Sequence, residues 1–261
     1  MNALLRRLGC GGRELLKQPG FMLIAALALA LGGILTGIGA AEATSAELLP
    51  PTGQLPVGRT SYHWVLERLN AGAVASRFNG RMDLASVGAF GHSIGGRVAA
   101  RTCQLEKRVK ACLSLDGLAR RPHFDENPDG STLQQPFMVI RQPYKVPPDE
   151  VLARMKKTRD QLIEENRQTR RDFFESVRAG SYDVSVKTPD INHQSFTDLP
   201  LLESGQSEET MKARRRALDL TRTYLRAFFD RHLLGGAAPL LEADAEQLPE
   251  VEMTRYQFRA R

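Results

Sequence analysis

A serine in a glycine-rich turn, between an apolar segment and a helix-forming segment, constrains the fold of this chain most. The apolar segment is 84–90, the turn reads Gly91-His92-Ser93-Ile94-Gly95-Gly96, and the helix-forming segment is 94–103. A sharp turn from strand to helix holds a serine clear of the backbone, and glycines on either side of it relieve the crowding. The pattern predicts a nucleophile elbow with Ser93 as the nucleophile.

Strand and helix patterns alternate along the rest of the chain. Apolar runs predict strands at 84–90, 109–115, 137–141 and 182–187. Helical periodicity predicts helices at 63–71, 94–103, 151–179 and 208–234. Such alternation favours an α/β fold in which helices cover a parallel sheet. We therefore expect a parallel sheet of the α/β-hydrolase type.

The helical segment 151–179 has a narrow apolar stripe among many charged residues, made of Val151, Met155, Leu162, Phe173 and Val177. A stripe of this kind is typical of a helix that lies on the body of a domain. A lid that covers a site is the alternative.

A serine nucleophile needs a base, and the base needs an acid that orients it. In this type of fold the acid ends a later strand, and the histidine lies in a loop after the last strand. Asp116 ends an apolar run and precedes Gly117, and His193 follows the strand at 182–187. We therefore predict that Ser93, Asp116 and His193 form a catalytic triad at the carboxyl edge of the sheet.

The two neighbours of Ser93 have different expected roles. The backbone N–H of Ile94 opens the helix, and we expect it to donate a hydrogen bond to the oxyanion of the reaction. His92 is too close to Ser93 along the chain to act as its base. We expect its side chain to point away from the site and to pack.

The first 41 residues are typical of a targeting or membrane segment. Basic residues within 1–20 precede the uncharged run FMLIAALALALGGILTGIG at 21–39, and Ala41-Glu42-Ala43 follows it. An apolar run of about 19 residues can just span a bilayer, and the basic flank favours a cytoplasmic N-terminus. We expect export to the periplasm or the cell exterior, either with residues 21–41 anchored in the inner membrane or with a cleaved signal.

The prolines and glycines within 50–58 make a linker, so the exported domain is expected to occupy 48–240. Residues 241–261 are expected to form a C-terminal tail. The formal net charge of the chain is +6, but its basic residues are dispersed and no nucleic-acid recognition motif accompanies them. We therefore expect no nucleic-acid partner.

The cysteines and histidines show no metal-ligand spacing, so neither a metal nor another cofactor is expected. Cys103 and Cys112 have two possible states. They form a disulfide in an oxidising compartment, or they are small buried apolar residues.

Three segments together resemble the platelet-activating-factor acetylhydrolase family, particularly its bacterial members. They are 91–96, Leu113-Ser114-Leu115-Asp116-Gly117, and the run His193-Gln194-Ser195-Phe196-Thr197-Asp198, and the likeness extends from about 48 to 256. The resemblance implies the same triad of Ser93, Asp116 and His193. It also implies metal-independent hydrolysis of short or oxidised acyl chains from phospholipids and small esters, and bacterial relatives include polyester-cleaving esterases.

The chain departs from this family before the nucleophile. Family members have several strands and an oxyanion-forming loop there, whereas only 93 − 48 = 45 positions separate 48 from Ser93. The chain resembles a member with an internal deletion and with its first strands missing. A non-catalytic membrane-tethered remnant is therefore an alternative to an esterase. A second alternative is a membrane-interaction module, which the apolar N-terminal run and the basic composition suggest.

Overall fold

A computed structural model describes residues 83–117, 133–242 and 248–259. In this part of the chain one sheet has the order β1-β2-β3-β4-β5. The strands are β1 Val87–His92, β2 Val109–Leu115, β3 Phe137–Arg141, β4 Ser181–Val186 and β5 Val251–Tyr256. The predicted targeting segment 1–41, the linker and the helix at 63–71 lie outside the described residues.

The first four strands are parallel, and β5 is antiparallel to β4. The expected α/β fold is thus present, although the sheet is mixed rather than wholly parallel. β2 and β3 have the predicted bounds. β1 begins later than expected because the Asp83 side chain accepts a hydrogen bond from the Ala85 N–H at 2.9 Å, which makes a turn before the strand.

The helices lie between and beyond the strands. They are α1 Ile94–Leu105, α2 Asp149–Met155, α3 Arg159–Glu175, α4 Leu199–Leu202 and α5 Glu208–Leu234. Short 3₁₀ turns occupy His193–Phe196 and Pro239–Leu241. Within the described ranges no helix combines the length and the apolar composition that crossing a membrane requires.

The prediction of a single helix at 151–179 is wrong, because a short turn separates α2 from α3. Lys156 ends α2 in the left-handed conformation, with φ at 53°. Thr158 then starts α3 with a capping box, in which its hydroxyl accepts from the Gln161 N–H and its own N–H donates to the Gln161 side chain. The break satisfies backbone groups at both helix ends.

The two faces of the sheet bury different side chains, because neighbouring residues of a strand point to opposite faces. Phe137 and Val139 of β3 join one core cluster with residues of α1 and α3. Met138 and Ile140 join the other cluster, which α5 covers. Helices therefore pack on both faces. Phe173 and Phe174 bind α3 to the first face, so the apolar end of this helix lies on the body of the domain, as the stripe indicated.

The segment expected to be a C-terminal tail contributes β5. Val251 pairs with Val186 at one end of the β4–β5 ladder, and Tyr256 pairs with Ser181 at the other. Glu250, just before β5, forms an ion pair with Arg216 near the start of α5. The chain therefore enters β5 at the edge where β4 ends, which makes the pair antiparallel.

Cys103 of α1 and Cys112 of β2 form a disulfide, with their Cα atoms 6.3 Å apart. Both residues are buried in the same core cluster, because α1 packs directly over β2. The sequence left open whether these cysteines are bonded or free, and the structure shows the disulfide.

His232 of α5 makes the stability of this fold depend on pH. Its Nε2 atom is buried without a hydrogen-bond partner in the described part of the chain, and its ring packs against Phe228 and Tyr182. Burial, together with the charges of Arg231 and Arg255, lowers the pKa of His232 from 6.5 to about 4.

Between these two values the unfolded chain binds a proton that the folded chain does not, so the free energy of unfolding falls as the pH falls from about 6.5 towards 4. We expect His232→Phe to flatten this part of the stability curve, because phenylalanine packs similarly and does not titrate. Urea unfolding at about pH 7.5 and about pH 5 measures it. Equal losses of stability in both proteins on acidification would contradict this assignment.

Candidate active site

The side chains of Ser93, His193 and Asp116 meet at the carboxyl edge of the sheet, as the sequence predicted. The Ser93 hydroxyl lies 2.9 Å from Nε2 of His193, and Nδ1 of His193 lies 2.8 Å from Oδ2 of Asp116. Because a carboxylate only accepts, Nδ1 carries the proton and donates to Asp116. Nε2 is then free to accept the hydroxyl proton of Ser93.

The backbone at Ser93 makes a sharp turn between β1 and α1. Its φ is 56° and its ψ is −121°, and its N–H donates to the Leu115 carbonyl of β2 at 2.9 Å. A Cβ atom at Gly91 would lie 2.4 Å from the carbonyl carbon of Gly95, so the first glycine of the motif is a steric requirement. This strand, strained serine and helix have the arrangement of a nucleophile elbow.

Asp116 sits in a second tight turn, directly beside the elbow. Its φ is 48°, and its N–H donates to the Ile140 carbonyl of β3 at 2.8 Å. A Cβ atom at Gly117 would lie 2.1 Å from the Ser93 carbonyl oxygen. The acid and the nucleophile are therefore held together by backbone packing, on two adjacent strands.

Gln142 belongs to the candidate site by its contacts, and the sequence analysis missed it. Its side-chain amide donates to Oδ2 of Asp116 at 2.8 Å, and its backbone N–H donates to Oδ1 at 3.3 Å. Both carboxylate oxygens are thus fixed, with one of them facing His193. The available signal was its place just after the β3 run, since the ends of neighbouring parallel strands lie side by side.

A buried ion cluster supports the residue before Gln142. Arg141 contacts the Asp183 carboxylate at 2.8 Å, and Arg170 of α3 contacts the same carboxylate at 2.6 Å. Burial alone would raise the pKa of Asp183, but the two guanidinium groups lower it, so this carboxylate is ionised at neutral pH. Arg141 also donates to the Gln142 carbonyl at 3.1 Å, which connects the ion cluster to the support of Asp116.

The turn that carries His193 has its own anchors. The Asn192 side chain accepts from the Gln194 N–H at 2.9 Å, and the Asn192 N–H donates to the Ser195 hydroxyl at 3.0 Å. Lys145 donates to the Ile191 carbonyl at 3.0 Å. These bonds order the loop, which is necessary because half-exposed loops do not otherwise hold a side chain in one geometry.

The expectation that His92 points away from the site is wrong. Its Nε2 atom lies 2.7 Å from the His193 carbonyl oxygen, and the centroids of the two imidazole rings are 4.5 Å apart. Side chains alternate along β1, and Phe90 on the same face as His92 contacts Phe229 of α5. His92 therefore faces the side of the sheet on which the His193 turn lies.

The predicted oxyanion donor, the N–H of Ile94, is the first N–H of α1. The first N–H groups of a helix have no acceptor within the helix, and the helix dipole favours negative charge there. Within the described residues no backbone acceptor is found for Ile94 N–H, which lies directly after Ser93. In the three described ranges no cluster of three or more histidine, cysteine, aspartate or glutamate side chains could hold a metal ion.

No protein-family model matches the chain, and no curated protein matches it. Among solved structures, it is similar to a ferulic acid esterase from Streptomyces cinnamoneus, with 24% sequence identity and a TM-score of 0.47. The similarity covers 88% of this chain and 54% of that one, so this chain spans about half the length of the esterase.

We expect Gln142→Leu to slow the covalent modification of Ser93 by a fluorophosphonate about 10- to 100-fold. The substitution removes a hydrogen bond to a charged group, worth about 1.5–3 kcal/mol, and each 1.4 kcal/mol is about tenfold in rate. Labelling rates of purified protein measure the effect. Gln168→Leu makes the same change on α3, where the exposed Gln168 side chain donates to Asp172, and should label at the wild-type rate. Equal labelling rates for the two variants would show that Gln142 does not support the reactivity of Ser93.

Proposed function

We propose that this protein is a serine ester hydrolase that acts through an acyl-enzyme. The observation that carries the proposal is the continuous hydrogen-bonded row Ser93–His193–Asp116, with distances of 2.9 and 2.8 Å. These distances fall within the range of about 2.6–3.2 Å that a nucleophile and its base require.

Each residue then has a defined role. Ser93 Oγ attacks the ester carbonyl carbon while its proton passes to Nε2 of His193, and Asp116 stabilises the resulting imidazolium. The tetrahedral oxyanion accepts a hydrogen bond from Ile94 N–H. Collapse breaks the bond to the alcohol oxygen, which takes the proton from His193. Water then repeats these steps on the acyl-serine, releasing the carboxylic acid and restoring the hydroxyl of Ser93.

The proposed substrates are short-chain or phospholipid-type esters. The resemblance of the three motifs to platelet-activating-factor acetylhydrolases supports this class. Two exposed apolar side chains that lie close in sequence to Ser93 and His193 also suit such substrates. Ile94, directly after the nucleophile, is 72% exposed, and Leu199, a few residues after His193, is 56% exposed. Apolar surface of this kind can contact an acyl chain.

Turnover is expected to be weak. Ile94 N–H is one oxyanion donor, and no second donor is identified in the described part of the chain. Loss of one donor typically lowers turnover by about 10²- to 10³-fold. A relative with the family's full set of strands before the nucleophile is therefore the reference for the rate.

We expect the exported domain to hydrolyse p-nitrophenyl acetate slowly and Ser93→Ala to abolish this activity, because the substitution removes the oxygen that His193 activates. Steady-state hydrolysis and fluorophosphonate labelling by both proteins measure it, with the undeleted relative beside them. A folded wild-type protein that neither hydrolyses esters nor labels at Ser93 would favour the non-catalytic membrane-tethered remnant. Turnover equal to that of the relative would contradict the argument from the single donor.

The proposed location is outside the cytoplasm, with residues 21–41 either anchored in the inner membrane or cleaved as a signal. The uncharged run with its basic flank supports export. The Cys103–Cys112 disulfide supports it as well, because disulfides persist in oxidising compartments and are rare in the cytosol.

An alkaline phosphatase reporter fused after Leu48 is expected to be active in intact cells, because this enzyme requires export to fold. Reporter activity, together with the amount of fusion protein, measures the effect. A stably made fusion that stays inactive would place the domain in the cytoplasm.

A further inference from the structure

His92 joins the nucleophile elbow directly to the catalytic base. The acceptor of its 2.7 Å hydrogen bond is the backbone carbonyl oxygen of His193. Nε2 of His92 therefore carries a hydrogen and donates the hydrogen bond. The bond fixes the tautomer of His92 without any assumption about pH. It spans 101 positions of the chain and connects the last residue of β1 to the residue that takes the proton from Ser93.

The other anchors of the His193 turn act on its neighbours. Lys145 binds the carbonyl of Ile191, and the Asn192 side chain caps the 3₁₀ turn. The hydrogen bond from His92, in contrast, is made to the backbone of His193 itself. Its donor, His92, is the residue directly before Ser93. It therefore sets the distance between nucleophile and base more directly than the loop's own bonds.

The two imidazole rings also contact each other. Their centroids lie 4.5 Å apart, and their planes are tilted by 39°. A ring on one side of His193 limits rotation of the base away from Ser93, while Asp116 limits it on the Nδ1 side. The positions of both ring nitrogens of His193 are thereby constrained.

The charge of His92 suits this position. Burial is the largest influence on the pKa of His92 and lowers it. The hydrogen bond to the His193 carbonyl raises the pKa, the neighbouring imidazole of His193 lowers it and Asp116 raises it, so that the pKa is lowered overall. His92 is therefore neutral at neutral pH. It can donate its hydrogen bond without adding a second positive charge beside His193 when that residue takes up the proton of Ser93.

We propose that His92 is a positioning residue, which holds His193 in reach of Ser93 through the Nε2–H bond to the His193 carbonyl and the contact between the two rings. The inference rests on the proposed function for its kinetic consequence. Its structural content, the order of the His193 ring, does not depend on ester hydrolysis.

Three variants separate the hydrogen bond from packing. His92→Phe keeps a ring of similar size but cannot donate, and His92→Gln keeps a donor at similar reach without the ring. His232→Phe makes the same change on α5, where the ring packs against Phe228 and Tyr182 away from the triad, and is the matched control. Urea unfolding of each variant shows whether the fold is retained.

The first measurement is the proton NMR signal of His193 Nδ1–H, which a strong hydrogen bond to Asp116 shifts far downfield. We expect wild type, His92→Gln and the control to show this signal, and His92→Phe to lose it or broaden it through exchange. A signal of wild-type sharpness in His92→Phe would overturn the proposal. If His92→Gln lost the signal at the same time, His92 would act on His193 through ring packing alone.

The second measurement is hydrolysis of p-nitrophenyl acetate. Loss of a neutral hydrogen bond predicts about 3- to 10-fold lower kcat for His92→Phe, with KM changed less than about 2-fold and kcat largely restored in His92→Gln. If the wild type is active and His92→Phe has the same kcat, the positioning role of His92 is overturned while the proposed function stands. If the folded wild type hydrolyses no ester, the proposed function fails, and the NMR comparison still decides whether His92 positions His193.

Discussion

The hydrogen bond from the Ser93 N–H to the Leu115 carbonyl is the interaction on which the site depends. It continues the pairing of β1 with β2 through the serine itself, so the chain must turn sharply at that residue. The turn brings the Ser93 carbonyl so close to Gly117 that no Cβ atom fits there. Nucleophile and acid are thus fixed by main-chain contacts, which side-chain motion does not disturb.

The triad could be predicted from the sequence because each member follows a strong local signal. Ser93 lies in a glycine-rich turn, Asp116 ends a mostly apolar run, and His193 follows the next strand but one. The bounds of β2 and β3 were predictable for the same reason, since both strands are buried on both faces and read as short apolar runs. Local pattern and tertiary position agree at these places.

Other features depend on contacts between distant segments. Gln142 matters because β3 pairs with β2, and His92 matters because the His193 turn folds back over α5. β5 escaped the sequence analysis because only Val251 and Met253 of the strand are buried, and a short strand with four more polar or exposed positions resembles a tail. The break at Lys156 was hidden for a different reason, since charged residues are frequent on both sides of it, in α2 and in α3.

The spacing of the triad has a consequence for the order in which the site forms. Ser93 and Asp116 lie within one β1–α1–β2 unit, 116 − 93 = 23 positions apart, and the Cys103–Cys112 bond joins the middle of that unit. His193 arrives from 77 positions beyond Asp116. Since closing a longer loop costs more entropy, local units form before distant ones dock. We therefore expect the β1–α1–β2 unit to place Ser93 in its turn before His193 docks, so that the hydroxyl of Ser93 gains its base only in a late step of folding.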